Sequence, residues 1–222
     1  MISILEKETG KVLLEVDVDT LQDSHLDGAH LPDADFSGMV LSGIDFRSAD
    51  LRGADFSNAI LDGANFNAAC LNGASFENAD LSHADFTNAV MKEANLQGAK
   101  LQFAIFRYAH VSDSDFAKAD LANSDMSVAD LQADFTHADL FRADLRGSDL
   151  RGAILDHTNL KKANLTNAQV SETTLATSRL DGAIDRHGNH IGFHSQGHSP
   201  APKGVPQTPP PKKSWWLFGN KE

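Results

Sequence analysis

Ala49-Asp50-Leu51-Arg52-Gly53 runs straight into Ala54-Asp55-Phe56-Ser57-Asn58, and the second stretch repeats the first. A large apolar residue stands in the middle of each, with a small one two places before it. Outward from here the middle place keeps a spacing of five, from Leu31, Phe36, Leu41 and Phe46 through to Leu131. A helical stripe would recur at three and four residues and a strand would alternate at two, so neither produces this period. It defines a coil of short units, each of which buries its large and small residues, exposes the other three and turns a corner. Gly and Asn gather at the last place of the unit, as at Gly43, Gly53, Asn58, Gly63, Gly73 and Asn88. A type II turn demands positive φ there, and these residues accept it.

The units ADLRG, ADFSN, ANFNA, ADLSH and ANLQG resemble those of the pentapeptide-repeat family. The resemblance implies an all-β fold, a right-handed quadrilateral β-helix with four units per coil. With coils about 4.8 Å apart it implies a rod about 35 to 40 Å long, of between about seven and eight coils. One solenoid with short additions is therefore expected: a cap and transition over 1–28, the β-helix over 29–184 and a tail over 185–222.

Along the cap, Ile2 to Leu5 and Val12 to Val18 read as two strands joined by a turn at Glu8-Thr9-Gly10. A hairpin here would cover the open edge of the first coil and block self-association. Inside the rod, Phe and Leu alternate at the middle place, so four units per coil would stack Phe36, Phe56 and Phe76 on one face and Phe46, Phe66 and Phe86 on the opposite one. One slip breaks the period. Ala129-Asp130-Leu131-Gln132 is followed at once by Ala133-Asp134-Phe135, which is one outward residue short, so one corner must be tighter than the rest.

The net charge of −12 is unevenly spread. Residues 29–184 hold twenty-two acids against twelve bases, and 185–222 hold two acids against five bases. An acidic rod is a poor ligand for a nucleic-acid backbone, which needs a positive surface to displace counterions, so no direct nucleic-acid binding is expected. The single cysteine, Cys70, falls at an outward place and excludes an intramolecular disulfide. No apolar run reaches signal-peptide or transmembrane length, and the expected compartment is the cytoplasm.

Around the slip, the residue before the large one is Asp in eight successive units: Asp115, Asp120, Asp125, Asp130, Asp134, Asp139, Asp144 and Asp149. These form an acidic belt around all four faces. Family members that protect gyrase and topoisomerase from quinolone drugs are similar acidic rods thought to imitate duplex DNA. The resemblance thus implies one reading of the belt, as a decoy for a DNA-binding enzyme. The plainer reading is that Asp is the repeat's usual residue there, interrupted by Arg142, Arg146, Arg151, Lys161 and Lys162.

Past Ile184 the composition changes to Gly, His, Ser and Pro, including Pro209-Pro210-Pro211, and reads as a flexible linker. His187, His190, His194 and His198 are separated by glycines that would not hold a metal, so neither metal nor cofactor is expected. The chain closes on Lys212-Lys213-Ser214-Trp215-Trp216-Leu217-Phe218. Three roles fit these aromatics: a cap on the end of the rod, an anchor for a protein partner, or, with less support, contact with a membrane surface. A regular solenoid sets its Asp and Ser in rows, with no nucleotide-binding loop or convergent catalytic set, so no enzyme is expected. The leading expectation is a non-catalytic protein-binding scaffold or adaptor. Its partner-binding residues are Trp215, Trp216, Leu217 and Phe218. The alternative is the gyrase or topoisomerase decoy.

Overall fold

The computed structural model describes residues 1–192. Its body is a right-handed quadrilateral β-helix, and the stacking follows the five-residue unit. Four units return the chain over itself, so each residue before the large one bridges its counterpart twenty positions on, as Asp50 bridges Cys70 and Cys70 bridges Val90. The same pairing carries one face from His25 through Asp45, Asn65, Asp85, Ile105, Asp125, Asp144 and Asn164 to Ile184. Leu51 N–H donates to Cys70 O at 2.8 Å and Cys70 N–H donates to Ala49 O at 2.9 Å, so each coil is hydrogen-bonded to the next in both directions.

Every large inward residue from Leu31 to Leu165 is at most 1% exposed. The two phenylalanine ladders form as the alternation requires. Phe36, Phe56 and Phe76 stack at 4.9 Å with rings nearly parallel, and Phe66, Phe86 and Phe106 stack at 5.0 and 4.8 Å on the opposite face. The ladders meet edge-on across the core, as Phe56 meets Phe66 at 5.7 Å. Both geometries suit the ring quadrupole. At several places where Ser or Thr replaces the small Ala, the hydroxyl donates to a carbonyl of the previous coil, Thr158 to Phe135 O at 2.7 Å and Ser178 to Leu155 O at 2.6 Å, whereas Ser148 donates to Leu145 O of its own coil at 2.8 Å and Ser124 Oγ has no partner among the described residues. Each such bond removes the cost of an unpaired buried hydroxyl.

The expected cap is present. Strands β1 (Ile2–Glu6) and β2 (Val12–Val16) pair antiparallel, and β1 also pairs with β3 (Ala34–Asp35) of the first coils. Ile4 is fully buried beneath the hairpin. Lys7 locks it in place, its N–H donating to Asp33 O at 2.9 Å and its ammonium to Gly53 O at 2.6 Å.

The slip alters a corner without breaking the ladder. At most corners the residue three after the large one donates back to it, as Ala54 N–H does to Leu51 O at 3.1 Å, whereas Ala133 N–H reaches Leu131 O after only two residues, at 2.8 Å. The four bridges spanning this corner therefore join residues nineteen apart, such as Asp115 to Asp134, and the spacing returns to twenty at Asp134 and Ile154. At the far end the fold runs past Ile184, where the linker was expected to start. Asp185 to Ile191 turn back on the last coil, with Ile184 and His190 bridged antiparallel.

Candidate interaction face

Each regular corner places its last residue at positive φ whatever that residue is: Gly53 at 67°, Asn58 at 59° and Asn88 at 59°. Gly and Asn tolerate this region, but for bulky or β-branched residues it is an outlier. Midway along the rod the sequence puts such residues there. Phe103 sits at 61°, Tyr108 at 57° and Val128 at 59°. All three are about half exposed, and Ile105 lies exposed on the face between the corners of Phe103 and Tyr108. Val128 follows Tyr108 one coil on in the same corner column.

The surroundings of this face are charged. Ile105 is bridged by Asp85 on one side and Asp125 on the other. The Arg107 guanidinium lies 5.9 Å from the Tyr108 ring centre and 3.9 Å from Asp125. His83 stacks on Phe103 at 5.3 Å, and its Nδ1 is 2.9 Å from Asp62 Oδ1. The result is an apolar strip with acidic margins. Sequence reading passed over these four residues, although their signal was there. Once Leu101 and Phe106 fix the register, Phe103 and Tyr108 fall where the repeat takes Gly or Asn.

The eight belt aspartates are brought together in four stacked pairs, one on each face: Asp115 with Asp134, Asp120 with Asp139, Asp125 with Asp144, and Asp130 with Asp149. Like charges directly across a ladder repel, so each needs local compensation. Seven of them have it from their own corner. The Oδ1 atom accepts the N–H two residues on, as in Asp115 with Ala117 at 2.8 Å, Asp134 with Thr136 at 2.8 Å and Asp139 with Phe141 at 2.9 Å. This bond explains the recurrence of Asp without invoking a partner. Asp130 is the exception, because its corner is the shortened one. Its buried Oδ1 has no hydrogen-bond partner, while Oδ2 accepts from Ser112 Oγ at 2.9 Å.

Arginines split the belt into two kinds of carboxylate. Arg146 grips Asp144 through Nε and Nη2 at 2.6 to 2.9 Å, and Arg151 grips Asp149 at 2.6 to 3.0 Å. The Arg151 bonds hold Asp149 below the usual carboxylate range. Burial pushes Asp144 up, but the Arg146 bonds outweigh it and the net shift is also downward. The same arrangement near the other end, Arg47 on Asp45 and Arg52 on Asp50, brings both acids down to about 2 against the opposing effect of burial. Asp115, Asp120, Asp134 and Asp139 carry no such clamp.

Among the described residues, His25, Asp27 and Asp45 form the one cluster with metal-ligand proximity, but the Arg47 clamp already occupies Asp45. His187 and His190 are exposed on the last turn. His194, His198 and the Trp215, Trp216, Leu217 and Phe218 motif lie outside the described residues.

A quadrilateral β-helix of five-residue units, closed at one end by a hairpin and decorated at its corners, defines a class of repeat protein. The chain belongs to the pentapeptide repeats family: the family's sequence profile matches in 8 copies over 20–59, 29–67, 40–78, 69–102, 94–132 and 133–175, with a boundary at the shortened corner. Among solved structures it is similar to HetL, a pentapeptide repeat protein involved in heterocyst differentiation regulation from the cyanobacterium Nostoc sp. strain PCC 7120. That match has 30% identity over 78% of this chain and 89% of the other, with a TM-score of 0.43. It is also similar to QnrB1, a plasmid-mediated fluoroquinolone resistance protein, at 17% identity over 69% of this chain and 80% of that one, with a TM-score of 0.37. A comparison with curated protein sequences finds no match.

Proposed function

We propose that this protein is a non-catalytic protein-binding scaffold whose partner docks on the face made by Phe103, Ile105, Tyr108 and Val128. The observation that carries this reading is the exposure of these four apolar side chains on one side of the rod, three of them bulky or β-branched residues at left-handed corners. An L-residue in the left-handed region costs about 1–2 kcal/mol, and the exposed apolar side chains add a solvation cost. Many corners carry the left-handed cost on small or charged residues, such as Ala68, Glu93 and Lys118, but Phe103, Tyr108 and Val128 add a large exposed apolar side chain to it, and that combination calls for a gain outside the isolated fold. Covering the strip with a partner supplies that gain. Asp85 and Asp125 on its margins specify the partner's chemistry: apolar or aromatic anchors rimmed by Lys or Arg.

Ile105→Asp tests this directly, since it puts the repeat's usual residue between Asp85 and Asp125 and leaves the buried face untouched. Native and variant chains are used to capture proteins from a lysate of the source organism. The reading requires a basic-rimmed partner retained by the native chain, weakened by salt and lost from Ile105→Asp. Equal retention by both chains would remove the face as the docking site.

A second reading draws on the four stacked Asp pairs. Unclamped carboxylates at Asp115, Asp120, Asp134 and Asp139 form a negative patch on two adjacent faces, the feature an acidic decoy for gyrase or topoisomerase would need. It requires that the full chain inhibit supercoiling with a steep loss on adding salt, and that Asp120→Asn/Asp139→Asn reduce the inhibition. Trp215, Trp216, Leu217 and Phe218 are the remaining candidate anchor for a partner, but a nearer surface on the same chain competes for them.

A further inference from the structure

The two ends of the rod are finished differently. At the first coil the β1–β2 hairpin leaves Leu21 only 3% and Leu26 only 7% exposed. At the last coil a short reverse turn does the covering. The Asp185 carboxylate accepts from the N–H groups of His187 and Asn189, both at 2.8 Å, and holds the turn closed. Ile191 N–H then donates to Ala183 O at 2.7 Å and Gly182 N–H to Ile191 O at 3.0 Å. Ala183 is buried by this, but the inward Leu175 and Leu180 are left only partly covered, unlike any large inward residue from Leu31 to Leu165, and Ile184 and Ile191 beside them are partly exposed as well. A cavity of about 490 Å³, lined mainly by apolar surface, opens beside them between Lys162, Gly182, Ile184, His190, Ile191 and Gly192.

We propose that this cavity is the seat of the chain's own Trp215-Trp216-Leu217-Phe218 segment, which thereby caps the C-terminal end of the rod. Gly192 stands on the cavity rim, so the remaining chain departs from the site itself. That chain is 30 residues long, and its only run of large apolar residues is Trp215 to Phe218. The 22 residues between Gly192 and Trp215 can span up to about 3.3–3.6 Å each, ample to reach back over the end of the rod. Tethering at this length gives an effective concentration on the order of millimolar, which favours the chain's own segment over a second copy. The wall chemistry fits the occupant. The Lys162 ammonium already lies 5.7 Å from the Phe141 ring centre, and an indole seated in the cavity would offer it a second aromatic face. Sealing the last coil would also protect an edge that the hairpin protects at the other end.

Both tryptophans of the protein lie in this segment, so tryptophan emission of the intact chain reports its environment alone. The proposal requires emission at shorter wavelength than in denaturant, independent of protein concentration, with acrylamide quenching several-fold weaker than for the unfolded chain. Ile191→Glu moves the emission to longer wavelength and restores quenching. Because that change could loosen the last turn, Lys162→Glu, at an exposed cation, is the second variant and produces a smaller shift in the same direction. In the full chain, Trp215→Ser/Trp216→Ser speeds amide exchange at Leu175 to Ile191 and leaves the central coils unchanged. The proposal is overturned if native emission is already that of water-exposed indole. It is equally overturned if burial appears only at high protein concentration, which means a second copy, or only with anionic vesicles, which means a membrane. Burial that survives both end variants and is lost in Tyr108→Asn would place the segment on the other face. Ile105→Asp, the test of the scaffold reading, leaves the emission unchanged, so the two readings fail separately.

Discussion

Phe56 and Phe103 are the same residue set to opposite uses. Phe56 occupies the middle of its unit, has no exposed surface, and stacks between Phe36 and Phe76. Phe103 occupies the last place of its unit, is 53% exposed, and sits at a φ of 61° with His83 stacked on its ring. Place within the five-residue unit, and not residue type, decides what the side chain does. An aromatic residue in the middle place holds the coils together, while one at the corner weakens the isolated fold and is available to something else. Interior and corners thus answer to different constraints, and substitutions in the two should move stability in opposite directions.

The largest effect is expected inside. Phe56→Ala removes a ring from the ladder and leaves a cavity that the neighbouring coils cannot collapse to fill, with a loss of about 3–5 kcal/mol in denaturant unfolding. A loss well under that would show that the ladders are not the main support. The next effect concerns charge at the corners. Asp45 and Asp50 are held at about 2 by Arg47 and Arg52, below the value of about 3.9 for an unfolded Asp. A carboxylate lowered in the folded state stabilises it above the unfolded value and loses that contribution as pH falls toward the folded value. The melting temperature should therefore hold from pH 7 to about pH 4 and fall between about pH 4 and 2. In Arg47→Ser/Arg52→Ser that acid limb should flatten. The smallest effect on stability is expected from Arg146→Ser/Arg151→Ser, because Asp144 and Asp149 are lowered less deeply than Asp45 and Asp50 and pairs with exposed guanidiniums contribute little. The melting temperature should barely move, yet removing two clamps extends the unpaired acidic surface to Asp144 and Asp149. If the decoy reading holds, supercoiling inhibition should strengthen in this variant.

Most of the architecture was legible because a solenoid is nearly one-dimensional. The spacing from Leu31 to Leu131 fixed the coil, the Val12 alternation announced the hairpin, and the missing residue after Gln132 marked the tightened corner. The end of the fold at Ile191 was not legible, since a carboxylate closes that turn. The bonds from His187 and Asn189 to Asp185 leave no trace in a pattern of large and small residues. The belt was legible as a row of aspartates but not as a charge, because the Arg146 and Arg151 clamps depend on side-chain geometry. Phe103, Tyr108 and Val128 were legible in position and missed in meaning. Read as irregularities of the repeat they say little; left-handed φ together with a large apolar side chain left half exposed reveals what they cost.

The most direct test is denaturant unfolding of Phe103→Asn/Tyr108→Asn/Val128→Asn, measured beside partner capture by the same variant. If these corners are kept for binding, the variant gains stability, about 1 kcal/mol or more in total from relief of the left-handed strain, and no longer retains the partner. A variant that loses stability, or that holds the partner as well as the native chain, would show that the three residues serve the fold and that the docking face lies elsewhere.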